Sequence, residues 1–166
     1  MNISQEVMET VKGRCKANEA FAAILRECYG RKADTCPETR ATAFDDWLGF
    51  VIDHVAGMIT DTSPDAVYDA LHFQTAGDAN TVSFAVDVAG DGFETDTNTY
   101  VEDGTVYTAL WIKGGDHGET MKESNKFAAR FRALGYAVEE PWVDPDDDAD
   151  ITVNAYLDFD KARRVQ

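Results

Sequence analysis

Five carboxylates fall within seven residues at Asp144-Pro145-Asp146-Asp147-Asp148-Ala149-Asp150. Oxygen ligands clustered this way bind hard divalent cations. Setting Asp144 at the first position of an EF-hand loop puts Asp146, Asp148 and Asp150 at the third, fifth and seventh. The sixth position is then Ala149 instead of the glycine the turn needs, and the twelfth is Ala155 instead of a bidentate glutamate. A divalent-cation-binding protein or enzyme working through residues 144–150 is therefore one reading, though without the EF-hand pattern behind it. Other chemistry finds less support. Cys15, Cys28 and Cys36 show no Cys-x-x-Cys spacing, and no two histidines lie three to five residues apart, so a zinc site is not expected. His54 falls among apolar residues and reads as a packed side chain. His117 lies in Gly114-Gly115-Asp116-His117-Gly118, which matches neither a phosphate cradle nor a nucleophile elbow. With no supported catalytic constellation, the sequence favours a non-enzyme without cofactor or metal.

The distribution of charge is more informative than any motif. The chain has 166 residues, 31 acidic against 15 basic, for a net charge of −16. Residues 1–40 are nearly balanced at +1, and residues 113–166 carry −4. Residues 41–112 hold 13 acids and no lysine or arginine at all. Acidic strands and helices usually carry balancing cations through cross-strand and i,i+4 pairs, and here those partners are missing. A surface this negative repels phosphate backbones and anionic lipid, which argues against direct nucleic-acid or membrane-surface binding. Two explanations remain: an acidic surface serving solubility or a salt-adapted host, and a surface that presents its charge to a basic partner.

These carboxylates must be positioned by the elements that carry them. Val7, Val11 and Cys15, then Phe21, Ile24, Leu25 and Cys28, predict helix over residues 4–28, split or weakened at Gly13 and stopped by Gly30. A helix from Ala43 to Thr60 follows, its apolar face formed by Trp47, Leu48, Val51, Ile52, Val55 and Ile59. Ser63-Pro64-Asp65 starts a short helix to Leu71. The period then changes to two. Strands are expected at 72–75, at 81–88 (Val82, Phe84, Val86, Val88), at 93–101 and at 105–113, with Asp103-Gly104 as the hairpin turn between the last two. A helix at 119–134 capped by Gly135, a strand at 136–143 interrupted by Pro141, and a strand at 151–159 complete the chain. The fold class is α+β: one domain, helical over 1–71 and sheet-containing over 72–166. N-terminal helices precede a mostly antiparallel β-β-β-α-β-β sheet with helices on one face.

In the strand ending at Glu102, the residues Glu94, Asp96, Asn98, Tyr100 and Glu102 share a face, with neighbours roughly 6.5–7 Å apart. That spacing is similar to the separation of phosphates along a nucleic-acid strand. Asp87, Asp91, Asp103 and the acids Asp144, Asp146, Asp147, Asp148 and Asp150 would extend the same field. Tyr100, Tyr107, Trp111 and Tyr156 fall at exposed-phase positions, where tyrosine and tryptophan beside carboxylates suit a protein-binding surface. The competing expectation is that helices cover them and the sheet is buried on both faces. The leading expectation is a non-enzymatic binding protein that occupies the basic site of a nucleic-acid-binding enzyme or toxin. That would be a nucleic-acid mimic of the anti-restriction, anti-CRISPR or immunity-protein type. The alternatives are the cation protein above and an acidic accessory or structural domain. Three cysteines, an odd number, and an N-terminus without a basic cluster and apolar run suggest the cytoplasm.

Overall fold

Asn18 settles the break in the N-terminal helical stretch. Its side chain accepts a hydrogen bond from the Phe21 N–H at 3.1 Å, while its own N–H closes the preceding helix onto the Arg14 carbonyl. The computed structural model, which describes residues 1–158, accordingly starts with helices α1 (Gln5–Ala17) and α2 (Glu19–Thr35). Gly30 is no stop. It lies inside α2, which runs on to Cys36-Pro37, where proline forces a new start as the short α3 (Pro37–Arg40). Helix α4 (Phe44–Gly57) has Asp45 and Asp46 in its first turn, as the dipole favours.

The largest departure from the sequence reading is α5, a single helix from Pro64 to Gly90 that takes in both stretches expected as strands, 72–75 and 81–88. The reason lies in the pattern itself. A run of apolar residues at i, i+2, i+4 and i+6 contains two i,i+4 pairs, so Phe84 and Val88 serve one helical face and Val82 and Val86 another. Phe84 and Val88 are buried, and with Gly77 and Thr81 they follow the 3–4 spacing of a helix. The Thr81 hydroxyl donates to the Gly77 carbonyl at 2.7 Å, one turn back, so it is satisfied within the buried face of the helix. Gly77 is also a point of close approach, since a Cβ there would stand 2.8 Å from the Tyr136 Oη.

By internal contacts the chain divides into two compact units, residues 1–76 with 101–104, and residues 77–100 with 105–158 of those described. The first unit is helical. Val11, Cys15, Leu25, Leu48, Ile52, Val55, Val67 and Leu71 form its core. Phe21 packs edge-on against Tyr68 and His72. Lys12 is almost wholly buried and directs its ammonium to Asp45 at 2.9 Å. His54, expected to be packed, is exposed, because the buried stripe of α4 runs through Leu48, Ile52, Val55 and Ala56 and leaves position 54 outside it.

The three thiols sit in different surroundings, and no disulfide joins any two of them. Burial pushes the Cys15 thiol up to about 11. Hydrogen bonds from the side chain and backbone of Thr39 hold Cys36 below the ordinary thiol value. Because the thiolate is the reacting form, an alkylating reagent near neutral pH is expected to modify Cys36 first and Cys15 only on unfolding. Peptide mass mapping over a labelling time course checks the order, and early modification of Cys15 would contradict the packing described.

The second unit holds the sheet. Strands β1 (Glu94–Glu102) and β2 (Thr105–Lys113) form the expected hairpin, with Asp103 and Gly104 both at positive φ (48° and 73°) in the two-residue turn. Helix α6 (His117–Ala133) opens on a capping box between Asp116 and Glu119. It closes on Gly135 (φ 89°), with the Tyr136 N–H reaching the Phe131 carbonyl at 3.0 Å. Short strands β3 (Ala137–Val138) and β4 (Trp142–Val143) stand on either side of Pro141, and β5 (Asp150–Asp158) ends the described chain. Phe159, expected in that last strand, lies outside the described residues. The sheet order is β1-β2-β5-β3, with β4 also paired to β5, and β5 is antiparallel to β2, β3 and β4.

One face of this sheet is covered. Val106, Thr108, Leu110 and Ile112 of β2, with Ile151, Val153, Ala155 and Leu157 of β5, are buried beneath α6 and the second half of α5. Phe84 of α5 meets Phe127 of α6 edge-on at 5.4 Å, and Phe127 lies 4.5 Å from Phe131. Thr108 is hydrogen bonded to Thr81 of α5 at 2.7 Å and to Thr99 of β1 at 2.9 Å, so its buried hydroxyl is satisfied. The α+β class, the antiparallel sheet and the helices on one face are as expected; the element string after the N-terminal helices is β-β-α-β-β-β.

Candidate functional site

The other face of the sheet is open. Strand alternation sends the remaining half of each strand outward, and the register arranges these side chains in rows. Tyr107 of β2 stands opposite Tyr156 of β5, which in turn stands opposite Ala137 of β3. Tyr100 of β1 stacks on Tyr107 with ring centres 5.1 Å apart, and Tyr107 is 6.5 Å from Tyr156. Three tyrosines from three strands therefore form one continuous band. Tyr100 remains 42% exposed. A second row carries Trp111, Thr152 and Trp142, the last 54% exposed. Between the two rows, Asn154 faces Ala109 and donates to the Glu139 carboxylate at 3.3 Å. The face is thus neither buried on both sides nor uniformly charged: it is aromatic in the middle.

Carboxylates border it. Glu94, Asp96 and Asn98 occupy the exposed phase of β1 alongside Tyr100. At the far end Lys113 stands opposite Asp150 and makes an ion pair with Asp147 at 2.5 Å. The Asp147 carboxylate beside it raises the Lys113 ammonium above its usual range, with Asp150 and Glu94 adding to the effect. Lys113 in turn holds Asp147 below the ordinary carboxyl value, helped by the Ala149 N–H. Among the described residues of β1, β2 and β5, Lys113 is the cation on this face, and it is already engaged.

The acidic segment 144–150 is the tight loop from β4 to β5. Asp144 accepts from the Asp146 N–H at 2.8 Å and Asp147 from the Ala149 N–H at 3.1 Å, so these side chains build the turn. The Asp144 N–H reaches the Asp150 carbonyl at 2.9 Å, and the His117 ring is hydrogen bonded to the Asp148 carbonyl at 2.7 Å. Asp146 and Asp148 point to solvent. Among the described residues, no group of three or more histidine, cysteine, aspartate or glutamate side chains converges in a way that could hold a metal ion.

The acids singled out from sequence are therefore not one surface. Glu94, Asp96 and Tyr100 are brought together on the open face, with Asp147 and Asp150 near its β2–β5 end. Asp144, Asp146 and Asp148 belong to the loop beyond it. Asp87 is on α5, on the helical side of the sheet, a consequence of residues 81–88 being helix. Asp91 lies in the turn after α5 and lines a cleft of about 290 Å³ with Phe93, Glu119, Lys122 and Glu123. Glu102 and Asp103 sit at the hairpin tip, which groups with the first unit. Sequence reasoning missed Trp142 and Glu139. Strand phase reveals Glu139, which shares the face of Ala137, but for Trp142 the register gains one residue between Val138, opposite Ala155, and Trp142, opposite Thr152. Counting by two across Pro141 therefore assigns Trp142 to the wrong face.

Comparison with protein-family models, with curated proteins and with solved structures finds no match to this chain. Among the described residues, no helix is long and apolar enough to cross a membrane.

Proposed function

We propose that this chain is a non-enzymatic binding protein whose open sheet face occupies a basic site on a partner protein. The observation that carries the reading is the coincidence, on one face of one sheet, of the Tyr100-Tyr107-Tyr156 band with the β1 carboxylates Glu94 and Asp96. Exposed tyrosine and tryptophan supply contact area at little entropic cost, and a carboxylate border selects a basic counterpart and speeds its arrival. Carboxylates spaced along a strand resemble phosphates along a nucleic-acid chain. The partner class is accordingly a nucleic-acid-binding enzyme or a toxin, its basic site filled in place of its substrate. An inhibitor or immunity protein of this kind works in the cytoplasm, where thiols such as Cys28 and Cys36 stay reduced.

The test is capture of partners from host lysate at 50 and 500 mM salt, across which the screening length shortens from roughly 14 to 4 Å. The expected result is a basic nucleic-acid enzyme or toxin retained at low salt and competed off by DNA or RNA. Asp96→Lys should lower the amount captured at low salt. Absence of any basic partner at either salt would sink the proposal.

A further inference from the structure

The outer side of β1 presents features that the open face does not explain. This strand is an edge of the sheet, nine residues long, with no strand beyond it among the described residues. Counting back from the two-residue turn, Thr95, Thr97 and Thr99 direct their backbone N–H and C=O groups away from β2. The Thr97 N–H is taken up by the neighbouring Asp96 carboxylate at 2.8 Å, a donor satisfied locally at a strand edge. Beside this edge runs a groove of about 230 Å³, lined by Val82, Ala85, Val86 and Ala89 of α5 and by Thr95, Asp96 and Thr97 of β1. The α5 residues recur at i, i+3, i+4 and i+7, the spacing of a helix face that packs against something. Val86 nevertheless remains 66% exposed.

We infer that the β1 edge accepts an extended segment of the partner as an added strand, one in which apolar and basic residues alternate. The inference rests on the docking reading above and adds how the partner is held. An added strand would take its main-chain hydrogen bonds from the outward groups of Thr95, Thr97 and Thr99, displacing the Asp96 carboxylate from the Thr97 N–H. Its alternate side chains would then fall on two different surfaces. Those on the helical side enter the Val82-Ala85-Val86-Ala89 groove, where branched aliphatic residues fit. Those on the open side lie next to Glu94 and Asp96, where arginine or lysine fits and arginine can also stack on Tyr100. A second copy of this chain is a poor occupant, because edge-to-edge pairing would bring like-charged β1 carboxylates together.

A synthetic peptide of alternating valine and arginine tests this, against a peptide of the same composition with the valines and arginines in separate blocks. The alternating peptide is expected to bind, and to slow hydrogen exchange at the Thr95, Thr97 and Thr99 amides. Val86→Lys, an exposed change that leaves the fold intact, should weaken it by about tenfold or more. Thr97→Pro, which removes an outward N–H from an edge strand, should do the same. Equal binding of both peptides, no binding, or binding unaffected by both variants would overturn the strand addition. Sedimentation of the chain alone as a dimer with protected β1 amides would overturn it too, by giving the edge to a second copy. A partner retained by Val86→Lys but lost by Tyr100→Ala would leave the docking face standing and remove only the added strand.

Discussion

Phe127→Ala is expected to be the most destabilising single truncation in the sheet-bearing unit, costing about 3–5 kcal/mol. Phe127 is wholly buried and is the centre of an aromatic cluster, touching Phe84 of α5 on one side and Phe131 of α6 on the other, with Tyr136 beyond. Its removal leaves a cavity bounded by rigid rings that cannot collapse to fill it, so the cavity cost adds to the lost transfer energy. Total stabilities of about 5–15 kcal/mol leave little margin for such a loss. With a urea slope of about 1–3 kcal/mol per molar, the midpoint should fall by roughly 1–5 M. Leu134→Ala, at an exposed position just past α6, is the control and should change little. A loss below 1 kcal/mol for Phe127 would mean that α5 and α6 are not joined through this cluster.

The second large effect concerns binding. Tyr100→Ala should lower affinity for the basic partner by about 2 kcal/mol or more, roughly 30-fold, because an exposed aromatic at an interface centre is the usual seat of binding energy. Tyr100→Phe keeps the stack on Tyr107 and should retain most of it. Asp96→Lys acts differently: it should slow association and reduce the salt dependence of the on-rate. Surface plasmon resonance at two salt concentrations separates the two signatures. An unchanged affinity in Tyr100→Ala, with folding intact, would remove the open face from the interface.

Much of this architecture is legible in the sequence where a local signal has a single meaning. Asp103-Gly104 specifies a two-residue turn because both positions require positive φ, and the hairpin around it follows. Ser63 before Pro64 marks the start of α5, and the Ala66 N–H does reach its hydroxyl. Residues 81–88 were ambiguous for a physical reason: valines and threonines favour strands, yet their spacing also satisfies a helix, and burial of Thr81, Phe84 and Val88 against β2 and α6 decided it. The site divides in the same way. Glu94, Asp96 and Tyr100 follow from simple alternation within a regular strand. Glu139 follows too, in phase with Ala137 ahead of Pro141, but Trp142 does not, because the register has gained one residue by then. Asp87 left the surface it was expected to join once its segment became helical.

The open face has an optical consequence. Of the chain's three tryptophans, Trp111 and Trp142 lie in one row of that face, opposite the same Thr152, and Trp47 belongs to the helical unit. Any partner that settles there removes water from two of the three indoles, and their emission should move to the blue without any attached dye. Substituting Trp47 by phenylalanine would leave a protein whose intrinsic fluorescence reports on that one surface.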